Sequence, residues 1–205
     1  MLNKVHDLVI RGKARLITGA VAEALENGCA PGDILSTMIA AMDVVGDRFQ
    51  NGEIFVPEML IAAKAMKKGV EELKPHLAAG AAGALGKVVI GTVAGDLHDI
   101  GKNLVAMMIE SAGFEIIDLG VDVPVEKFVS AARAEGVKIV ACSALLTTTM
   151  PALEATVAAL RADGRDYRIM VGGAPITQEF ADRIGADAFT SDAAAAAKKA
   201  RELVA

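Results

Sequence analysis

The hydrophobic period changes once along this 205-residue chain, and that change limits the fold more than any other feature. Over residues 1–74 apolar side chains recur every three or four positions, the spacing of one buried helical stripe. Leu16, Ile17, Ala20, Val21, Ala24 and Leu25 form such a stripe, and Gly28 is a natural stop behind it. Pro31 suits the first turn of the next helix, which carries Ile34, Leu35, Met38, Ile39, Met42 and Val45. Pro57 opens another, with Met59, Leu60, Ala63 and Met66. A short helix over Leu2–Val9 brings the number to four, enough for a small bundle.

From Lys87 the pattern is different. KVVIGTVA (87–94) is a short continuous apolar run, as a strand covered on both faces requires. Further strands are predicted over 114–120, 137–144, 167–173 and 186–190, with helices over 101–112, 124–135, 150–163, 176–184 and 192–204. Strands alternating with helices give right-handed crossovers and a doubly wound parallel sheet, five-stranded and Rossmann-like (flavodoxin-like). The charge-poor PHLAAGAAGALG (75–86) reads as a linker, so the expected domains are 1–86, helical, and 87–205, α/β. Ligands of such sheets sit outside the carboxyl ends of the strands. That puts the loops after Ala94, Ser143 and Gly173 on one rim, where a site is expected.

Composition removes several classes of function. Hydrophobic residues make up 53% of the chain but aromatic ones only 3%, so Ala, Val, Leu, Ile and Met must fill the core. The formal charge is −5 and no basic run is long enough to neutralise a phosphate backbone, so no nucleic-acid partner is expected. Lys64, Lys67 and Lys68 fit a solvated helix face. Cys29 and Cys142 belong to no CxxC and read as reduced thiols. The N-terminus lacks a signal-peptide core, and nothing reaches the roughly 18 consecutive apolar residues of a membrane span. A soluble, cytoplasmic protein with no membrane partner is expected.

The first predicted strand runs into GDLHDIGKN (95–103), where two carboxylates and an imidazole lie between glycines. His6 and His76 have no supporting pattern and read as surface residues. One account of the loop is a strand-to-helix turn in which Asp96 or Asp99 caps the next helix. The other is a metal-ligating His98 whose second nitrogen is held by a carboxylate. Zinc fits poorly, because a structural site needs four ligands and no companion is evident. The glycine spacing matches no phosphate-binding motif, and a His–Asp base would find no nucleophile in the loop. A cofactor that brings its own metal and needs one protein ligand remains.

Asp96-Leu97-His98-Asp99-Ile100-Gly101 resembles the DxHxxG signature of cobalamin-binding domains. Ser143-Ala144-Leu145 resembles the SxL that follows the third strand in that family, and Gly172-Gly173 its GG after the fourth. VGDRFQNGEIFVPEMLIAAKAM (45–66) is similar to the helical cap that precedes the domain in methionine synthase and in the small corrinoid proteins of methyltransferase systems. The resemblance therefore covers nearly the whole chain. It implies a four-helix bundle cap over a corrinoid-binding sheet, with cobalamin or a related corrinoid as cofactor.

By that resemblance the nucleotide tail leaves the cobalt and enters a slot beside the sheet, and His98 becomes the lower axial ligand. Asp96 would hold its other nitrogen, and Ser143 would continue the hydrogen-bond network beneath the corrin. Gly101 would let the tail pass close to the backbone, Thr147 would contact it, and Gly172 and Gly173 would leave room for its end. Asp99, Ile100 and Leu145 fall within the matched motifs and are expected to line the cofactor. Phe49 and Val56 match the residues that shield the methyl group. The second is usually Leu, and the competing account is that Phe49 and Phe55 are bundle core. The implied role is a methyl carrier between a substrate-specific methyltransferase, taking a methylamine, methanol, betaine or aryl methyl ether, and a second one serving tetrahydrofolate or coenzyme M. A reductive activating protein is the further implied partner. The rival roles are a B12-binding gene regulator, for whose DNA-binding module the chain has no room, and a mutase small subunit, which needs no cap.

Overall fold

The computed structural model describes residues 1–76 and 85–205. The predicted linker 75–86 lies mostly outside the described residues. The chain divides into two compact units, one helical and one built on a sheet.

The helical unit contains α1 (Leu2–Ile10), α2 (Ile17–Glu26), α3 (Pro31–Gln50) and α4 (Val56–Leu73). Each buries the stripe its periodicity marks: Val5 and Val9, then Ile17, Ala20, Val21 and Ala24, then Ile34, Met38 and Met42, then Met59, Ala63 and Met66. Helix α1 packs on α3, and α4 on both α2 and α3. Leu16 is a correction to the expected stripe: it precedes the first turn of α2 and stands exposed. Gly28 has φ of 81°, a conformation that ends a helix without a Cβ penalty. Phe55, at 69% exposure, is not bundle core; Phe49 and Val56 are half-buried.

The second unit is a five-stranded parallel sheet in the order β2-β1-β3-β4-β5, with β1 at Lys87–Thr92, β2 at Glu115–Asp118, β3 at Val137–Ser143, β4 at Arg168–Gly172 and β5 at Ala188–Phe189. Helices α5 (Ile100–Ser111), α6 (Val125–Ala132), α7 (Met150–Ala162), α8 (Gln178–Ile184) and α9 (Ala193–Val204) alternate with the strands. The α/β architecture expected from the sequence is the one found. Strands β1, β3 and β4 are buried nearly end to end, which is why their sequences are apolar runs and not alternations. Phe128 of α6, Leu153, Val157 and Leu160 of α7 and Tyr167 pack on them, the Tyr167 hydroxyl donating to the Leu160 carbonyl at 2.7 Å. The chain leaves β1 for β2 on one side and returns to β3 on the other. The crevice of such a sheet opens at that reversal, above the ends of β1 and β3.

Candidate corrinoid site

The two loops that meet in this crevice carry the DLHDIG and SAL motifs. Asp96 is fully buried and His98 is half-exposed. The Asp96 Oδ1 atom lies 2.7 Å from His98 Nδ1 and also accepts the His98 backbone N–H at 3.1 Å. Its Oδ2 accepts the Leu145 N–H at 2.7 Å and the Thr149 hydroxyl at 2.8 Å. Burial pushes this carboxyl up, but the bonds from Leu145, His98 and Thr149 outweigh it and hold the group far below the usual carboxylate range. An ionised carboxylate only accepts, so His98 Nδ1 must carry its hydrogen toward Asp96. The Nε2 atom is left without a hydrogen-bond partner among the described residues. This is the arrangement in which a carboxylate fixes a metal-ligating imidazole.

The account in which Asp96 caps α5 fails, because its oxygens face His98 and the β3 loop. Asp99 does stand at the start of α5, its carboxylate accepting from the Asn103 amide at 3.2 Å. The hydroxyl that meets Asp96 is that of Thr149, in the short turn Thr147–Thr149. Ser143, given that place by the resemblance, ends β3, and its side chain makes no hydrogen bond among the described residues. Thr92, at the end of β1, is buried and donates to the His98 carbonyl at 2.8 Å. Lys102 is buried beside Asp118, at 2.6 Å, and ties the first turn of α5 to the end of β2. None of Thr92, Lys102 and Thr149 stands out in the sequence. The nearest signal was the run of three threonines at 147–149, of which only the third is buried.

The surface around His98 suits a flat apolar ring. Leu97, Ile100, Leu145 and Leu146 are 73%, 78%, 37% and 41% exposed, four large aliphatic side chains on the two site loops and the first residue of α5. Exposed apolar surface concentrated in this way marks a binding face. Thr147 and Gly101 are exposed beside it. Gly172 and Gly173 follow at the end of β4; a Cβ on Gly173 would lie 1.8 Å from the Ala144 carbonyl oxygen, and its φ of 134° would strain any other residue as well. Among the described residues no cluster of three or more His, Cys, Asp or Glu is placed to hold a metal ion. The donor set is one imidazole, as a cofactor with its own equatorial ligands requires. No helix of the described residues is long and apolar enough to cross a membrane.

Two family models match, each described as a B12 binding domain, over residues 1–74 and 86–199. The chain belongs to the B12-binding corrinoid protein family. It is 42% identical to a dimethylamine corrinoid protein of Methanosarcina barkeri, over all of this chain and 98% of that one. The crystal structure of a cobalamin-binding protein from Desulfitobacterium hafniense superposes with a TM-score of 0.85 at 32% identity, covering 100% and 99% of the two chains. The methanol:cobalamin methyltransferase complex of M. barkeri contains a chain that matches at a TM-score of 0.84 and 30% identity, covering 98% of this chain and 78% of that one. Corrinoid is the cofactor that this family binds and that these residues fit.

Proposed function

We propose that this corrinoid protein accepts a methyl group from a dimethylamine-specific methyltransferase and delivers it to a second methyltransferase, whose acceptor is tetrahydrofolate or coenzyme M. The observation that carries the reading is His98: Nδ1 locked on buried Asp96, Nε2 unpartnered, the ring flanked by exposed aliphatic side chains. Identity of 42% along the whole of a dimethylamine corrinoid protein favours an amine donor over methanol, for which the structural match is 30% identical.

When bound, the corrinoid would supply a cobalt able to take a methyl group from the nitrogen of dimethylamine, releasing methylamine, and to yield it to a second nucleophile. The chain's own residues do the rest. His98 Nε2 stands as the lower ligand, and Asp96 holds the tautomer that leaves its lone pair available. Leu145 N–H and Thr149 keep Asp96 from turning, while Leu97, Ile100, Leu145 and Leu146 cover the ring from water. Gly101, Thr147, Gly172 and Gly173 would border the tail of a bound corrinoid, with Asp99 and Ser143 beside it. By the resemblance, residues 1–86 would serve as the cap, in which Phe49 and Val56 are the candidates for shielding the methyl group, and 87–205 as the cofactor domain. A reductive activating protein is the further partner of this reading.

The test joins spectroscopy to turnover. The His98→Ala protein keeps bound corrinoid but loses the nitrogen splitting in the electron paramagnetic resonance spectrum of the cobalt(II) form. A splitting identical to wild type would exclude His98 as ligand. Wild-type protein supplied with methyltransferases specific for dimethylamine, trimethylamine and methanol should be methylated fastest from dimethylamine; a preference for methanol would replace the donor.

A further inference from the structure

The loop that carries His98 is fastened by a second loop, and one residue makes the fastening. Beyond β2 the chain stays along β1: Leu119 N–H donates to Ile90 O at 2.8 Å, Thr92 N–H to Gly120 O at 3.0 Å, and Val123 N–H to Thr92 O at 3.0 Å. Asp122 then reaches across to the site. Its N–H donates to Asp96 O at 2.9 Å, and its Oδ1 accepts the Gly95 N–H at 2.7 Å. Backbone and side chain of one residue thus grip the main chain on both sides of the Gly95–Asp96 link.

The backbone of Asp122 is strained to do this. Its φ of 51° is the sole positive value at a non-glycine residue among those described. Asp and Asn tolerate this region better than other side chains, and only they also place an acceptor at the reach of Oδ1. A glycine would relieve the strain and lose the acceptor; an alanine would keep the strain and lose it too. The other end of the arc is closed by Thr92, whose hydroxyl holds His98 O. Residues 96–98 are therefore pinned at both ends, and the direction of the imidazole follows from the two pins and the Asp96 carboxylate.

We propose that Asp122 is a positioning residue that holds the His98 imidazole in place as the lower ligand of the corrinoid, and that it acts by hydrogen bonding and not by charge. The proposal rests on His98 being that ligand. An orienting partner of a metal-ligating histidine is worth about 10-fold or more in ligation, and Asp122 acts one bond further out, through the backbone that carries Asp96.

The experiment uses the full chain, as wild type, Asp122→Asn and Asp122→Gly. In the cofactor-free protein, amide exchange reads the Gly95 N–H and nitrogen NMR reads the hydrogen-bonded His98 Nδ1–H. After reconstitution with hydroxocobalamin and reduction to cobalt(II), paramagnetic resonance gives the ratio of histidine-ligated to unligated cobalt. Asp122→Asn should match wild type in all three readouts. Asp122→Gly should release the Gly95 amide and lower the ligated-to-unligated ratio about 10-fold, with total bound corrinoid unchanged. An unaltered ratio in the glycine variant would overturn the proposal, as would an asparagine variant impaired to the same extent. Should the glycine variant not fold, the wild-type protein still decides: a Gly95 amide that exchanges as fast as an unbonded loop amide would refute the clamp. Wild-type protein that binds corrinoid with no nitrogen ligand would remove the reading of His98 itself, an outcome distinct from the failure of Asp122 alone.

Discussion

At Asp96 a single buried carboxylate serves four donors: the His98 ring, the N–H groups of His98 and Leu145, and the Thr149 hydroxyl. Such a group stabilises the folded chain only while ionised. Its folded pKa lies below the unfolded value of about 3.9, so the contribution is complete above that value and is lost as pH falls below it. Asp96→Asn replaces one accepting oxygen by an amide that donates, which sets donors against each other at a fully buried side chain. The expected cost at pH 7 is about 3 kcal/mol, from hydrogen bonds to a charged group at about 1.5–3 kcal/mol each. Urea denaturation of the cofactor-free protein at pH 7 and pH 3 checks it: the gap between wild type and Asp96→Asn should shrink at the lower pH. A constant gap would mean that the carboxylate charge contributes nothing and that only shape matters at this position.

Elements and loops differ in how far the sequence reveals them. The helical stripes and the buried strands β1, β3 and β4 follow from local patterning, because each residue's environment is set by neighbours three or four positions away, or by two covering layers. Strands β2 and β5 are shorter than the runs 114–120 and 186–190, since edge strands have one partner and the flanking residues turn into the rim loops. Asp96 and His98 were legible because the motif is contiguous. Thr149 was not, because its bond to Asp96 spans 53 residues of sequence and depends on β1 and β3 lying side by side. The same holds for Asp122 and Thr92. Two glycines separate packing from cofactor access at this scale. Gly173→Ala drives a Cβ into the Ala144 carbonyl and should destabilise the protein by about 3 kcal/mol or more, lowering Tm by roughly 6–12 °C at 2–4 °C per kcal/mol. Gly101 has no atom within 4 Å of an added Cβ and lies in the first turn of α5, where alanine favours helix by up to about 1 kcal/mol. Gly101→Ala should therefore leave the melting temperature of the cofactor-free protein equal or higher while weakening corrinoid binding. Undiminished binding in that variant would clear Gly101 of any part in the path of the tail.

For the whole molecule, the imidazole, its support and the apolar face of the site all lie in the sheet unit, so the helical unit contributes by what it covers. Its own core is closed by Met38, Met42, Met59 and Met66, yet Phe55 projects into solvent and Phe49 and Val56 are only half-buried. An apolar side chain that a bundle leaves partly uncovered contributes less to its stability than a core residue and keeps surface for covering something else. If Phe49 and Val56 shield the methyl face, shortening both leaves His98 ligation untouched and exposes the opposite side of the cofactor. The paired substitution Phe49→Ala with Val56→Ala should cost the helical unit about 1–3 kcal/mol, as partial removal of half-buried apolar side chains does. Loaded with methylcobalamin, it should lose the methyl group to light several-fold faster than wild type, because escape from the cobalt is no longer blocked. The cobalt(II) spectrum should keep its nitrogen splitting, which separates loss of the lid from damage to the sheet unit. Photolysis at the wild-type rate with the melting temperature lowered would assign both residues to the helical unit's own packing, and the upper face of the corrinoid would have to be covered by other side chains.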